Sequence, residues 1–583
     1  MKSRIVAILA RLKERFRLVR PPSLARLSRG PAPGLFAVLA FCLLLLIGSF
    51  KASDRYYDHH LVAADSSYYL MSASLLVSGK HDFALRRVLN HPAPLRSSDG
   101  GTGVYVLQTL AAWYLRAVLP LRPAMAVVLN GVWFIAMAVA VYSLFFSRIG
   151  QWATSAIVTV AYLIANPFLS TITYGITSMD PNLVGFMLGT TVLCCAALSD
   201  HFTRVIPCLL VGLFIGFLCL GRIYNLGTVL PAMLPYVVSC FWRRSGQQML
   251  TSLFGGFFAL CTAFAVSGWF VRANWRLLLG YPTQYGASGV LNHTELSDGI
   301  WAWLSFPRSV LADHLALLCV LSWPLAASLF GRARSLRQLN WSGLWAALAP
   351  LLVLAKMGTT FQPYGAVCLF GVFVVLMFPF ARPDPTLLYR GRFAAILSLT
   401  CAFSCWSFFS HLRSNHDVPG DNKRTTITAL NAVRDNALDA GRKRVTLGLV
   451  HWGTLHDASL VDALVLDLKL RVATPDFQPK ARPTTPLIID PLVADPWAWD
   501  ANVVGPAALT PSAWANRIIE EADYALVLVG DGKQDRRKGH WGAWVEASER
   551  VQKSGVFERL GSPFQIKSDG HVELLVRKQP RSG

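Results

Sequence analysis

The residues best suited to chemistry lie in the run SDRYYDHHLVAADSSYYLMSASLLVSGKHDF, from Ser53 to Phe83. Asp65, Tyr68, Tyr69 and Ser72 follow one another at i, i+3, i+4 and i+7, so on a helix they share one face. A carboxylate and two aromatic rings would then point together. Asp65 is also a good amino-terminal cap for a helix starting at Ser66. The two roles are compatible, because a carboxylate at a helix start can still face a cavity and take a proton from a substrate hydroxyl.

A second acid, Asp180, stands in TYGITSMDPNLVGFML, at the mouth of an apolar helix. Cations punctuate the other apolar blocks: Arg222 in GRIYN, then Arg272, Arg276, Arg308 and Lys356. Each is either a snorkelling interfacial residue or a partner for an anionic substrate. Arg222 is the most suggestive, since it joins two apolar stretches where charge is costly. No metal site is expected. Asp58, His59 and His60 are adjacent and cannot easily all face one ion, and His451, His456 and Asp457 read as a surface turn. The segment GGTG at 100–103 lacks the strand and helix of a nucleotide loop, and there is no HExxH or Walker A sequence.

The elements that carry these residues are membrane spans. Charged residues make up 15% of the 583, against about 25% in soluble domains. The apolar residues fall in blocks long enough to cross a hydrocarbon core of about 30 Å. The expected spans are 34–50, 124–147, 152–173, 178–198, 204–220, 225–242, 249–271, 309–330, 341–356, 361–380 and 392–410. The first follows a basic segment, 1–33, and is expected to remain as a spanning helix, not to be cleaved as a signal peptide. The stretch 104–120 is apolar too, but Arg116 and its Gly-preceded start also suit a helix lying in the interface.

The formal charge of +22 is concentrated in that basic segment and in short connections. No nucleic-acid motif accompanies it, so nucleic acid is not an expected partner, whereas membrane lipids are. With 104–120 left out of the count and the amino terminus in the cytoplasm, most of the basic clusters fall inside: Arg148, Arg204, Arg243–Arg244, Arg332–Arg337 and Arg382–Arg392. About eleven spans then place 411–583 outside, along with loops 51–123 and 272–308. All eleven cysteines, Cys42 to Cys405, sit in apolar blocks, so a disulfide framework or a cysteine zinc site is not expected.

The tail, 411–583, reads as a soluble α/β domain. Arg444–Val450, Tyr524–Val529 and Gly570–Lys578 have the pattern of strands, and Ala458–Leu470 suits a helix. The Pro-rich stretch from Pro475 to Pro511 reads as a long loop or linker.

The segment DSSYYLMSASLLVSGKHDF, Asp65 to Phe83, resembles the loop after the first transmembrane helix of GT-C glycosyltransferases. These are membrane enzymes that use polyprenyl-phosphate sugars, among them the protein O-mannosyltransferases and lipid A aminoarabinose transferases. Asp65, Tyr68 or Tyr69, Ala73 and Gly79 occupy the family's positions, but Ser66 stands where a second acid is usual. Asp180 matches the family's acid at a later helix mouth. KMGTTFQPYGAVCLF matches a basic residue followed by an aromatic and a Pro, roles that fall to Lys356 and Tyr364.

The resemblance implies a GT-C-like polytopic fold with an external active site. It implies transfer of a hexose or pentose, with inversion, from a polyprenyl-phosphate donor to a hydroxyl on a glycan, lipid or protein. Asp65 and Asp180 would be catalytic, and Tyr68, Tyr69, Arg222, Arg272, Arg276, Lys356 and Tyr364 would bind substrate. No cofactor is expected, and Ser66 in the second acid's place weakens any two-carboxylate or metal-dependent version of the mechanism. The location implied is a bacterial inner membrane. The rival reading is a transporter or flippase for a lipid-linked or small polar substrate, using the same cavity without chemistry. Discontinuous helices and an inverted repeat would mark it.

Overall fold

The computed structural model describes residues 30–59, 125–164, 181–222, 226–238, 245–288, 421–449, 487–492, 510–529, 540–566 and 570–579, with Leu107, Phe241, Trp345, Ala402 and Trp406 as single positions. Several of these, including 54–59, Arg222 and 273–288, are described by their backbone alone.

Among the described residues, seven apolar helices form one body: α1 (Ala32–His59), α2 (Met125–Ile149), α3 (Trp152–Ile164), α4 (Pro181–Leu198), α5 (Val205–Arg222), α6 (Leu226–Val238) and α7 (Gly246–Ser288). Stretches of α1, α2 and α7 are long and apolar enough to cross a membrane. Phe36, Leu44, Leu260 and Phe264 expose about seven-tenths of their surface, an apolar face suited to lipid. The inner faces pack into a core that includes Phe134, Tyr142, Tyr162 and Phe186. This is a polytopic membrane bundle.

Two helices outrun the spans expected for them. α1 continues through Ser53–His59, and α7 continues past 271 to Ser288, so the loops expected from 51 and from 272 both begin as helix. Hydropathy marks where lipid-compatible sequence ends. A backbone hydrogen-bond ladder carries on into water wherever the residues permit it.

α1 and α2 run antiparallel. The Tyr142 hydroxyl donates to the Pro31 carbonyl at 2.6 Å, and a Cβ at Gly131 would stand 3.1 Å from the methyl carbons of Leu46. Gly150, at φ +73°, takes the left-handed conformation that ends α2 and turns the chain into α3. The turn between α4 and α5 is left-handed at three successive non-glycine residues, Asp200, His201 and Phe202. It is held by Ser199, whose hydroxyl donates to the Ala196 carbonyl (2.6 Å) and accepts from the Phe202 amide (2.9 Å).

α5 and α7 are parallel and meet along a seam of small residues. Gly212 faces Ala259 and Thr262, Gly216 faces Ala263 and Val266, and Gly255 faces the backbone of Phe202 and the thiol of Cys208. Gly212-x-x-x-Gly216 thus lets two backbones approach as they commonly do in lipid, where close packing replaces the hydrophobic effect. A Cβ at Gly212 would collide with the Ala259 carbonyl and lie 2.8 Å from Thr262 Cβ. Gly212→Val is therefore expected to destabilise the bundle by about 1–3 kcal/mol. Gly256→Ala, which meets nothing within 4 Å, should be neutral or mildly stabilising. Thermal unfolding of the two variants in detergent checks this contrast.

α6 contains Pro231 and Pro235. Pro235 has no amide hydrogen for the Pro231 carbonyl, and the indole of Trp345 donates to that oxygen instead, at 2.8 Å.

The remaining elements form an α/β unit: α8 (Asp421–Asp439), β1 (Arg444–Leu449), β2 (Ile488–Leu492), α9 (Pro511–Glu521), β3 (Tyr524–Val529), α10 (His540–Lys553), β4 (Phe557–Arg559), β5 (Phe564–Ile566) and β6 (Gly570–Arg577). The sheet runs β2-β1-β3-β6-β4, with β5 paired to β6. β1 is parallel to β2 and β3, and β6 is antiparallel to β3, β4 and β5. α8 covers one face through Leu430 and Val433, and α9 and α10 cover the other through Trp514, Ile518 and Val551.

The stretch Pro475–Pro511 is not all loop. β2 lies within it, and Pro511 opens α9 behind the Thr510 cap, whose hydroxyl accepts from the Ala513 amide at 3.1 Å. Pro491 pairs with Leu447, and a proline is tolerated there because β2 is an edge strand among the described residues. The helix expected at Ala458–Leu470 lies outside the described residues.

A polar knot fastens α8 to the amino ends of the parallel strands. The Asp523 carboxylate accepts from the Thr446 amide (2.8 Å) and faces Arg442 (3.4 Å), and the Tyr524 hydroxyl donates to Asn436 (2.7 Å). Burial raises the Tyr524 pKa above the usual phenol value, against the lowering pull of Arg442.

Candidate active site at one end of the bundle

The helix ends nearest the expected site residues gather at one end of the bundle. A Cβ at Gly221, beside Arg222 at the end of α5, would stand 3.8 Å from both Val184 and Leu188, in the first turns of α4. It would also lie 3.7 Å from Leu107. Leu220 and Phe270 pack together with Leu107 and Val271, which brings Arg272 of α7 to the same level as Arg222. Trp133, in the first half of α2, meets Phe217 near the end of α5, with ring centroids 5.2 Å apart. The Gly131–Leu46 contact then brings the carboxyl-terminal half of α1 to that end as well.

Arg272 is exposed on α7, and Arg276 follows it one turn later. Asp180 immediately precedes Pro181, the first residue of α4. Asp65 follows the end of α1 by six residues. Asp65, Tyr68, Tyr69, Asp180, Lys356 and Tyr364 themselves lie outside the described residues, as does the side chain of Arg222. What is described is the convergence of the elements leading into Asp65, out of Asp180, and through Arg222 and Arg272.

Two features of this end escaped the sequence reading. Lys51 is exposed on α1, one more cation toward its carboxyl-terminal end, and its place on a continuing helix was the signal. Leu107, from the ambiguous stretch 104–120, packs here, a contact that hydropathy alone cannot reveal. Among the described residues, no cluster of three or more His, Cys, Asp or Glu could hold a metal ion.

Two crystal structures of ArnT from Cupriavidus metallidurans share this architecture. The apo state matches with a TM-score of 0.51 at 12% identity, over 92% of this chain and 96% of that one. The state bound to undecaprenyl phosphate matches with a TM-score of 0.52 at 11% identity, over 92% and 97%. The chain has the ArnT fold. ArnT is an aminoarabinose transferase of the GT-C type, so the resemblance drawn from the Asp65–Phe83 segment holds at the level of fold. No protein-family model matches the chain, and no curated protein aligns with its sequence significantly.

Proposed function

We propose that the protein is a membrane glycosyltransferase that moves a sugar from a polyprenyl-phosphate donor to a hydroxyl acceptor on the external face of a bacterial inner membrane. The observation that carries this reading is the meeting of the α1, α4, α5 and α7 ends, with Arg222 and Arg272, at one end of an ArnT-like bundle. Undecaprenyl phosphate bound to an ArnT of this fold supports a donor of the same class.

In the proposed reaction Asp65 takes the proton from the acceptor hydroxyl. The oxygen attacks the anomeric carbon from the face opposite the phosphate, with inversion. The bond from that carbon to the phosphate oxygen breaks, and its electron pair leaves on the polyprenyl phosphate. Arg222 and Lys356 neutralise the departing phosphate, and Asp180 positions donor or acceptor. Arg272, Arg276, Tyr68, Tyr69 and Tyr364 line the approach of donor and acceptor.

The topology proposed is eleven spans, with the amino terminus in the cytoplasm and 411–583 outside. An antiparallel α1–α2 pair requires an even number of crossings between them, which supports leaving 104–120 out of the count. The packing of Leu107 at the Arg222 end supports a position beside the site.

The leaving group supplies the test. Free undecaprenyl phosphate should raise the thermal midpoint of the purified protein and compete with the sugar donor, because product and donor share the phosphate subsite. No shift and no competition at concentrations that saturate ArnT would count against a polyprenyl-phosphate donor.

A further inference from the structure

We infer that Ser53, on α1, is a further binding residue of the proposed transferase, and that its hydroxyl pairs with a hydroxyl or amine of the donor sugar. The inference rests on the proposed function and adds to it a contact with the sugar itself, apart from the cations assigned to the phosphate.

Ser53 is buried, at 0% exposure, and its Oγ meets no hydrogen-bond partner among the described residues. Such a group is rare in a folded chain and destabilises it, because the hydration it gives up is not replaced. A helix offers a simple remedy, a bond back to the carbonyl one turn earlier. Ser143, Ser155, Thr159, Thr191 and Ser267 all take it, donating to the carbonyls of Val139, Gln151, Ser155, Met187 and Ala263 at 2.7–2.9 Å. Ser53 does not donate to Ser49 in this way, so its hydroxyl stays available.

The direction of that hydroxyl is set by α1. Val38, Cys42, Leu46, Ser49 and Ser53 recur every three or four residues and form the stripe that faces the bundle, whereas Leu44, Ile47 and Lys51 lie on the outer face. Its height follows from two contacts, Leu46 opposite Gly131 and Trp133 opposite Phe217. Ser53 stands seven residues beyond Leu46, about 10 Å, and Arg222 five residues beyond Phe217, about 7–8 Å. Trp133 is two residues deeper than Gly131, so Ser53 stands roughly one helical turn farther out than the end of α5.

α1 and α5 both touch α2, so the ends of α1 and α5 are no more than two helix spacings apart, each about 8–10 Å. A glycosyl phosphate held at its phosphate by Arg222 and Arg272 can carry its sugar outward and toward α1. The chemistry agrees with that division. A phosphate only accepts hydrogen bonds and is served by the cations of α5 and α7, whereas sugar hydroxyls donate and accept as a serine hydroxyl does. A sugar with no polar group at that point leaves the buried hydroxyl unpaired and is rejected for that reason, so Ser53 acts on sugar specificity.

Ser53→Ala in the full chain tests the assignment, with Ser252→Ala as its control. Ser252 is buried and unpartnered in the same way, but it lies near the start of α7, at the opposite end of the bundle. Removing an unpaired hydroxyl should leave the thermal midpoint in detergent unchanged or higher in both variants. A lower midpoint for Ser53→Ala would show that the hydroxyl has a partner within the fold and overturn the assignment. Binding is then measured with bare undecaprenyl phosphate and with undecaprenyl phosphate carrying arabinose, 4-aminoarabinose, glucose or mannose. For the sugar that the unsubstituted protein binds best, Ser53→Ala should weaken binding by about 2- to 12-fold, the worth of one hydrogen bond, and leave bare undecaprenyl phosphate unaffected. Ser252→Ala should change neither. Unchanged affinity for that donor, an equal loss for bare undecaprenyl phosphate, or a matching loss in Ser252→Ala overturns the inference and leaves the proposed function standing. An unsubstituted protein that binds none of the five compounds counts against the proposed function and removes the inference with it.

Discussion

Replacing Asp65 with Asn is expected to lower sugar transfer by on the order of 10²–10⁴-fold, the range contributed by acid–base catalysis, while the amount of protein in the membrane stays normal. Asn keeps the size of Asp and caps helices comparably, so a purely capping Asp65 would leave both activity and abundance nearly intact. What Asn cannot do is accept the acceptor's proton. Asp180→Asn should cost less, because Asp180 is assigned a positioning role. Transfer measured in membranes carrying each variant, normalised to protein amount, separates these cases.

Replacing Arg222 or Lys356 with Ala is expected to weaken donor binding by about 10- to 150-fold. This corresponds to the roughly 1.5–3 kcal/mol of a hydrogen bond to a charged group. Arg222 ends α5 at the level of Leu220 and Phe270, which the proposed topology puts at the external edge of the bilayer, within reach of a donor phosphate. Arg222→Lys should recover part of the affinity, since it keeps the charge and loses the planar fork. Each variant should insert and fold normally. A donor affinity unchanged in both Ala variants would return these residues to interfacial snorkelling.

The described membrane helices were legible because lipid imposes a simple rule: apolar blocks of spanning length become helices; the spans expected at 309–330, 341–356, 361–380 and 392–410 lie, apart from single positions, outside the described residues. The blocks beginning at 34, 124, 152, 178, 204, 225 and 249 all coincide with α1–α7. Their ends were less legible, as at His59 and Ser288, because leaving the lipid does not oblige a helix to stop. The Gly212-x-x-x-Gly216 seam went unread, since a pair of glycines in an apolar run does not say which partner it faces. In the α/β unit β1, β3 and β6 announced themselves by apolar pattern. β2 was hidden by Pro491, which only an edge position tolerates. The candidate site was read less from periodicity than from resemblance: the spacing of Asp65 and Tyr68 would put them on one face of a helix, but such a face also suits a cap and a packing surface. No spacing rule could show that the ends of α1, α4, α5 and α7 meet, because that convergence arises from helix packing between residues far apart in sequence.

The most direct test of the central claim follows the fate of the donor's phosphate. Purified protein in lipid vesicles is given a polyprenyl-phosphate sugar labelled in both the sugar and the phosphate, together with an envelope extract as the source of hydroxyl acceptors. Glycosyl transfer predicts one free polyprenyl phosphate for each sugar that appears on acceptor, and loss of both products with Asp65→Asn. Donor that crosses the bilayer with sugar and phosphate still joined, and with no glycosylated product, would contradict the account and identify a flippase.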